Sequence, residues 1–576
     1  MNSAVLALIG LICFGLGYKY YSRFIGKKIY GLNRTDSPTP AHLYKDGLDF
    51  VPTGKHILFG HHFTSIAGAA PIVGPCIAAF WGWLPAFLWV VIGTIFMGAV
   101  HDFGALVISI REKGRSIPRI AEKVINQRSK MMFLFFVLML TWLVLAVFSM
   151  VIANLFVSIP AAVLPINIEI LIALVIGWLI YKKKYNSFVL SLIALGVLYG
   201  FVWVGTQYPL SFENVGLSTV DQTNLWIILL LVYAGIASLL PVWLLLQPRD
   251  FINSHQLIVG LLMIYTGLFI ARPIIEAPAF RLTAPDAPPL FPFLFVTIAC
   301  GAISGFHGLV SSGTTSKQLD KVEDSRYIGY GGMLGEGTLA LASTLAAVAG
   351  IALVTNCDLP SIGHVDKLSW DLYYDSWSHA AANKAKAFVL GGGAFIQQLG
   401  FSWGFANTVM AVLVISFAAT TLDTATRIQR FIISEISAEL SFPFFQKRIP
   451  ATILSIIPAM LLAMWTVSDP ITGNPTQAGW VLWPIFGASN QMLAALTLLI
   501  ICLYFFAERK PILPLLIPFG FITIITLMTL FLKAGSFFQN NMILFFVDII
   551  LIGLILWMLV EGIQAFRKQR TGLQME

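Results

Sequence analysis

Charge is what this chain has least of. Asp, Glu, Lys and Arg make up 11% of its 576 residues, against 57% hydrophobic residues and a mean hydropathy of +0.82. Soluble domains carry roughly a quarter of their residues as charges, so that class is excluded. Cysteine is equally scarce. The five, Cys13, Cys76, Cys300, Cys357 and Cys502, show no metal-ligand spacing, and four lie inside apolar runs. Nothing there supports a disulfide framework. No HExxH or paired-aspartate motif is present, which removes the ligand set a membrane-embedded metallo-hydrolase needs. No basic stretch precedes the first apolar run and a basic one follows it, so the run reads as an uncleaved anchor. The net charge of +8 does not make a nucleic-acid surface, because the basic residues sit in short loops between apolar runs. The partner this composition points to is the lipid bilayer.

What is present is one apolar run after another. At about 20 residues per crossing, spans fall near 2–22, 57–81, 83–110, 131–157, 167–182, 187–207, 223–246, 252–272, 293–315, 328–355, 403–426, 450–467, 478–505, 511–533 and 541–563. The segment 385–399 is short and glycine-rich and reads as re-entrant, giving fifteen spans, or sixteen if it crosses. The polar, Trp/Tyr-rich stretch 356–384 reads as an external loop with a short surface helix. Alternate loops are basic: Lys19 to Lys28, Arg111 to Lys130, Lys182 to Lys184, Arg249, Lys317 to Arg326, Arg427 with Arg430, Lys447 with Arg448, Arg509 with Lys510, and Arg567 to Arg570. By the positive-inside rule these face the cytoplasm, so the N-terminus is expected outside and the C-terminus inside.

The run 55–80, KHILFGHHFTSIAGAAPIVGPCIAAF, is apolar but interrupted by Gly60, Gly68, Gly74, Pro71 and Pro75, and it carries His61 and His62. Backbone broken at membrane depth survives only against protein or a watery cavity, and discontinuous helices place substrate sites in secondary transporters. A second run, 225–247, holds Gly235, Ala237, Ser238 and Pro241 and reads as a second broken helix of opposite direction. The expected substrate-binding residues are therefore Gly60, His61, His62, Gly68, Ala69, Gly74, Ser238 and Pro241. Close small-residue packing and an ordinary proline kink remain the plainer alternatives.

Among the few ionisable groups inside spans are His61, His62, His101, Asp102, His307, Glu336 and Asp423. Such residues are costly in a membrane and usually functional. His61, His62, Asp102, His307, Glu336 and Asp423 are the expected proton relay. Asp423 also precedes Arg427 by four residues, as a simple helix-end pair would. Ser311, Ser312, Thr314 and Thr315 are candidate cation ligands, or helix caps. Asn490 and Gln491 read as helix–helix glue rather than substrate ligands.

The motifs FGHHFTSIAGAAPIVGP, GAVHDFGALVISIREKGRSI, SLLPVWLLLQPRDF, SGFHGLVSSGTTSKQL, TTLDTATRIQRF and FGASNQMLAAL, in order from Val51 to Leu496, resemble the carbon starvation protein A family. That resemblance implies a bacterial inner-membrane transporter for peptides or pyruvate, with a core of two five-helix inverted repeats whose first helices are broken. It implies 1–50 as an anchor helix and basic loop, 51–210 as the first repeat, 220–430 as the second, and 431–576 as peripheral helices. It also implies Ser311, Ser312, Thr314 and Thr315 as cation positions, by analogy with sodium-coupled relatives. The expected function is secondary import of peptides, with proton-coupled uptake of pyruvate or a similar monocarboxylate as the alternative. No cofactor is expected beyond a coupling ion, H⁺ or Na⁺. An enzyme and a channel are the rival classes.

Overall fold

The computed structural model describes residues 1–32, 38–282, 287–359, 363–382, 385–468 and 475–571. The protein is a helix bundle. Its helices are α1 Ser3–Ile29, α2 Lys55–Ile66, α3 Ala70–Trp81, α4 Trp83–Arg111, α5 Gln127–Ser158, α6 Pro160–Lys183, α7 Ser187–Gln207, α8 Thr219–Leu239 and α9 Leu246–Ala271. They continue with α10 Leu290–Thr297, α11 Ala299–Ala302, α12 Gly305–Gly313, α13 Val322–Leu353, α14 Lys386–Gln397 and α15 Trp403–Glu439. The last are α16 Arg448–Met464, α17 Ala478–Ala507, α18 Leu513–Asn540 and α19 Met542–Arg570. Polar side chains start several of them: Asn126 caps α5 at Ser129, Ser218 caps α8 at Asp221, and Asn541 caps α19 at Leu544.

Among the described residues, twelve helices are long and apolar enough to cross a membrane, or thirteen if the bent pair α2–α3 is one span. Fifteen or sixteen were expected, and the difference has three sources. The stretch 290–313 is cut into α10, α11 and α12, α16 has only 17 residues, and α14 only 12. The break between α2 and α3 is where the glycines and prolines placed it, with a bend of 47°.

The second expected break is not there. Gly235, Ala237 and Ser238 belong to the last turns of an unbroken α8, and Pro241 lies in the turn leading to α9. Hydropathy gave no warning, because this turn is itself apolar and partly buried. Val242 donates its amide to the Leu48 carbonyl, and Gly177 of α6 packs against Leu244. The interruption lies instead in 290–313, where Ile303 and Ser304 are extended, at φ −161° and −132°.

The basic loops gather on one face of the bundle. Arg427 pairs with Asp49 at 2.9 Å, Arg111 with Glu508 at 2.8 Å, Arg119 with Glu435 at 2.8 Å, and Asn126 with Glu561 at 2.7 Å. Asn2 bridges to Ile274 on the opposite face. On that face the expected loop 356–384 is a hairpin, Thr355–Leu359 with Gly363–Lys367, followed by short helices Trp370–Tyr373 and Trp377–Ala382. Residues 360–362 and 383–384 of that loop, and 469–474 of the next, lie outside the described residues.

Candidate functional site: a cavity and two polar clusters at a broken helix

Both broken segments meet at one cavity. The α2–α3 link contributes Ile66, Gly68, Ala70 and Pro71, and the α11–α12 link contributes Cys300, Ser304, Phe306 and His307. Val144 and Phe148 of α5, Thr421 of α15, and Phe486 and Asn490 of α17 complete the wall of a small cavity of about 10 Å³. The N-terminal ends of α3 and α12 therefore border the same space, although Pro71 has no N–H and the Phe306 amide is taken by Asn490. Among the described residues, no Asp, Glu, Lys or Arg lines it. Gly68 is required by the tight wall, since a Cβ there would stand 2.7 Å from Phe148 Cε2 and 2.8 Å from Thr421 Oγ1.

Behind His307 lies a cluster of imidazoles and carboxylates. Asp102 receives His101 Nδ1 at 2.7 Å on one oxygen and His307 Nδ1 at 2.9 Å on the other. The far nitrogen of His307 is 3.2 Å from Glu336 Oε2 without hydrogen-bond alignment, and both Glu336 oxygens lack a partner among the described residues. His62 Nδ1 lies 2.9 Å from Thr315 Oγ1, and its Cδ2 packs on Gly332 of α13, beside the same cluster. All these side chains are buried. No Lys or Arg among the described residues pairs with Asp102 or Glu336. Two carboxylates with no fixed cation are tolerated in a dry site only by holding protons, on themselves or on the imidazoles.

His61 points the other way. It bonds Asp250 of α9, and its Nε2 lies 3.3 Å from Gln318 Nε2. Next to Asp250, Arg249 is fully buried, which corrects its expected place in a basic loop. Its Nε donates to Glu169 at 3.0 Å and its Nη1 to Asp423 at 2.5 Å. Tyr233 donates to Asp423 at 2.9 Å, and Ser416 to Glu169 at 2.7 Å. Asp423 thus pairs with Arg249, not with Arg427 four residues on. Glu169 and Arg249 escaped the sequence reading because each sits near the end of an apolar run, where a charge looks like a loop.

Of the expected site residues, Gly68 and His307 line the cavity, Ala69 is beside it, and Asp102 and Glu336 stand behind it. Gly60 and Gly74 are close-packing positions, against Ser254 and against the Thr297 carbonyl. Ser238 bonds the Gly235 carbonyl of its own helix, and Pro241 is outside the cavity wall. Ser312 and Thr314 donate to carbonyls four residues back, at 2.8 and 3.1 Å, and Ser311 reaches the Asp102 carbonyl at 3.4 Å. Asn490 was expected to be glue and lines the cavity. Gln491 donates to the Phe295 carbonyl at 3.3 Å and accepts from Thr526 at 3.2 Å, as glue would.

The family described as carbon starvation protein CstA matches residues 2–529. The match runs past Leu496 into α18, which had been expected to lie outside it. The peptide transporter CstA of Bacillus subtilis is 32% identical over 91% of this chain and 89% of its own. The pyruvate/proton symporter BtsT of Escherichia coli is 32% identical over 84% of this chain and 75% of its own. A crystal structure of the Eremococcus coleocola manganese transporter covers 91% of this chain and 99% of its own at 12% identity, with a TM-score of 0.49.

Proposed function

The chain belongs to the carbon starvation protein CstA family, and from that premise we propose that it is a proton-coupled secondary transporter importing a small carboxylate. Its named relatives are transporters, not enzymes. The observation that carries the reading is the convergence of two half-helix N-termini, α3 and α12, on one cavity without a basic side chain. The positive ends of the two helix dipoles favour a carboxylate there. Binding an anion beside Asp102 and Glu336 concentrates negative charge in a dry region. It is relieved when a proton enters the His307–Asp102–His101 chain, so anion and proton move together. The basic face is cytoplasmic in this reading, and the cavity opens to each side in turn.

A small monocarboxylate is favoured by the uncharged wall and by the small cavity, which must widen to admit it. A dipeptide is the second reading, favoured by the unpartnered oxygens of Glu336, which would take its ammonium group once His307 moves aside. Uptake into proteoliposomes under an imposed proton gradient, then a sodium gradient, separates them. Proton-driven accumulation of labelled pyruvate supports the first reading, and accumulation of labelled dialanine the second. Sodium dependence would move the coupling to Ser311, Ser312, Thr314 and Thr315. Failure of both substrates with folded protein would overturn the proposal.

A further inference from the structure

The break before α12 is closed by a side chain from a helix far along the chain. Asn490 of α17 accepts the Phe306 amide on Oδ1 at 2.9 Å, while its Nδ2 donates to Ser304 Oγ at 2.9 Å and lies 2.9 Å from Cys300 Sγ. One amide group therefore holds α11, the extended link and the first turn of α12. Ser304, the residue before α12, makes no side-chain cap of its own. Gly305 lies so close to α17 that a Cβ would come within 2.5 Å of the Asn490 carbonyl oxygen. Asn490 is fully buried and lines the cavity, one residue from the amide that leads into His307.

We propose that Asn490 is a positioning residue that sets His307 against Asp102 and so tunes the proton linkage of transport, an inference that rests on the carboxylate–proton reading above. Asparagine suits the site because its Oδ1 accepts from Phe306 while its Nδ2 donates to Ser304, with no charge added beside the cavity. Aspartate supplies only acceptors when ionised, but its protonated form carries one acceptor and one donor in nearly the same shape.

The test is uptake by Asn490→Ala and Asn490→Asp in proteoliposomes, measured from pH 5 to pH 8 with pyruvate as probe. Thermal melting of the purified proteins is followed alongside. For Asn490→Ala the expected result is a KM raised about tenfold or more, with a flattened pH profile in the protein that remains folded. For Asn490→Asp it is a loss of similar size at pH 8 that recovers toward wild type as pH falls. A cap with only a structural role would give less folded protein with unchanged KM and pH profile, and that result overturns the inference. Equal KM for Asn490→Asp and wild type at pH 8 overturns it as well. Wild type that neither moves pyruvate nor is stabilised by it overturns the functional reading, and this inference with it. Wild type that moves pyruvate beside unaltered variants overturns the inference alone.

Discussion

Around Arg249 a guanidinium meets two carboxylates, whereas around Asp102 two carboxylates meet only imidazoles. Both clusters are buried, and both touch α2, through His61 and His62 respectively. The first contains a cation that never gives up its charge, although one guanidinium offsets only one of its two carboxylates. It ties α6, α9 and α15 together. The second contains no such cation. Under the proposed mechanism, the first of these buried clusters keeps its charge and the second changes it.

The sharpest way to break that contrast is at Arg249. Arg249→Met leaves Glu169 and Asp423 buried without a cation, and is expected to cost about 3–5 kcal/mol, read as loss of folded protein or a lower Tm in detergent. Adding Glu169→Gln and Asp423→Asn should recover much of that loss. A single variant that melts like wild type would mean that this cluster is not a fixed ion-pair anchor. Asp102→Asn tests the other side. Proton-driven accumulation should fall about 5- to 150-fold, while exchange of labelled for unlabelled substrate continues and the Tm moves little. Retained accumulation would remove Asp102 from the coupling.

Gly68→Ala comes next in size. Its Cβ would press on Phe148 and Thr421, costing about 1–3 kcal/mol and raising KM without altering the pH profile. A shifted pH profile would show that cavity and proton cluster are less separate than drawn here. The smallest effect is expected at Asp46, in the loop over the turn next to Arg249. Burial alone would raise its carboxyl, but the amides of Leu48, Phe50 and Asp49 outweigh that and hold it below the usual carboxylate range. A lowered acid stabilises the fold above its unfolded pKa, and the contribution disappears as pH falls through the folded one. Asp46 is exposed, so Asp46→Ala should cost under about 1 kcal/mol at neutral pH and nothing in acid, as melting curves at both would show.

Much of the proton-bearing cluster was legible because histidines and carboxylates inside apolar runs are rare enough to name. His62, Asp102, His307 and Glu336 all came from that one signal. The Arg249 cluster was not, since Arg249 follows Gln247 and Pro248 where a cytoplasmic loop was expected. The rule that places arginine in loops assumes the loop reaches water, and here a partly buried turn covered by residues 46–50 stands in its place. The first broken helix announced itself through prolines. The second did not, because Gly301, Ser304 and Gly305 weaken a helix without forbidding it, and what opens the backbone there is a contact with Asn490 almost 200 positions away. Long-range contacts of that kind leave no local mark.

His61 and His62 are consecutive, and on a helix their side chains diverge by about 100°. Each is held by a different neighbour, His61 by Asp250 and His62 by Thr315. A roll of α2 about its own axis would therefore strain both contacts, not one alone. Two bonds to two different neighbours hold the helix in register more firmly than one would. For a carrier, that grip keeps the face of α2 fixed where the bent link enters the cavity wall.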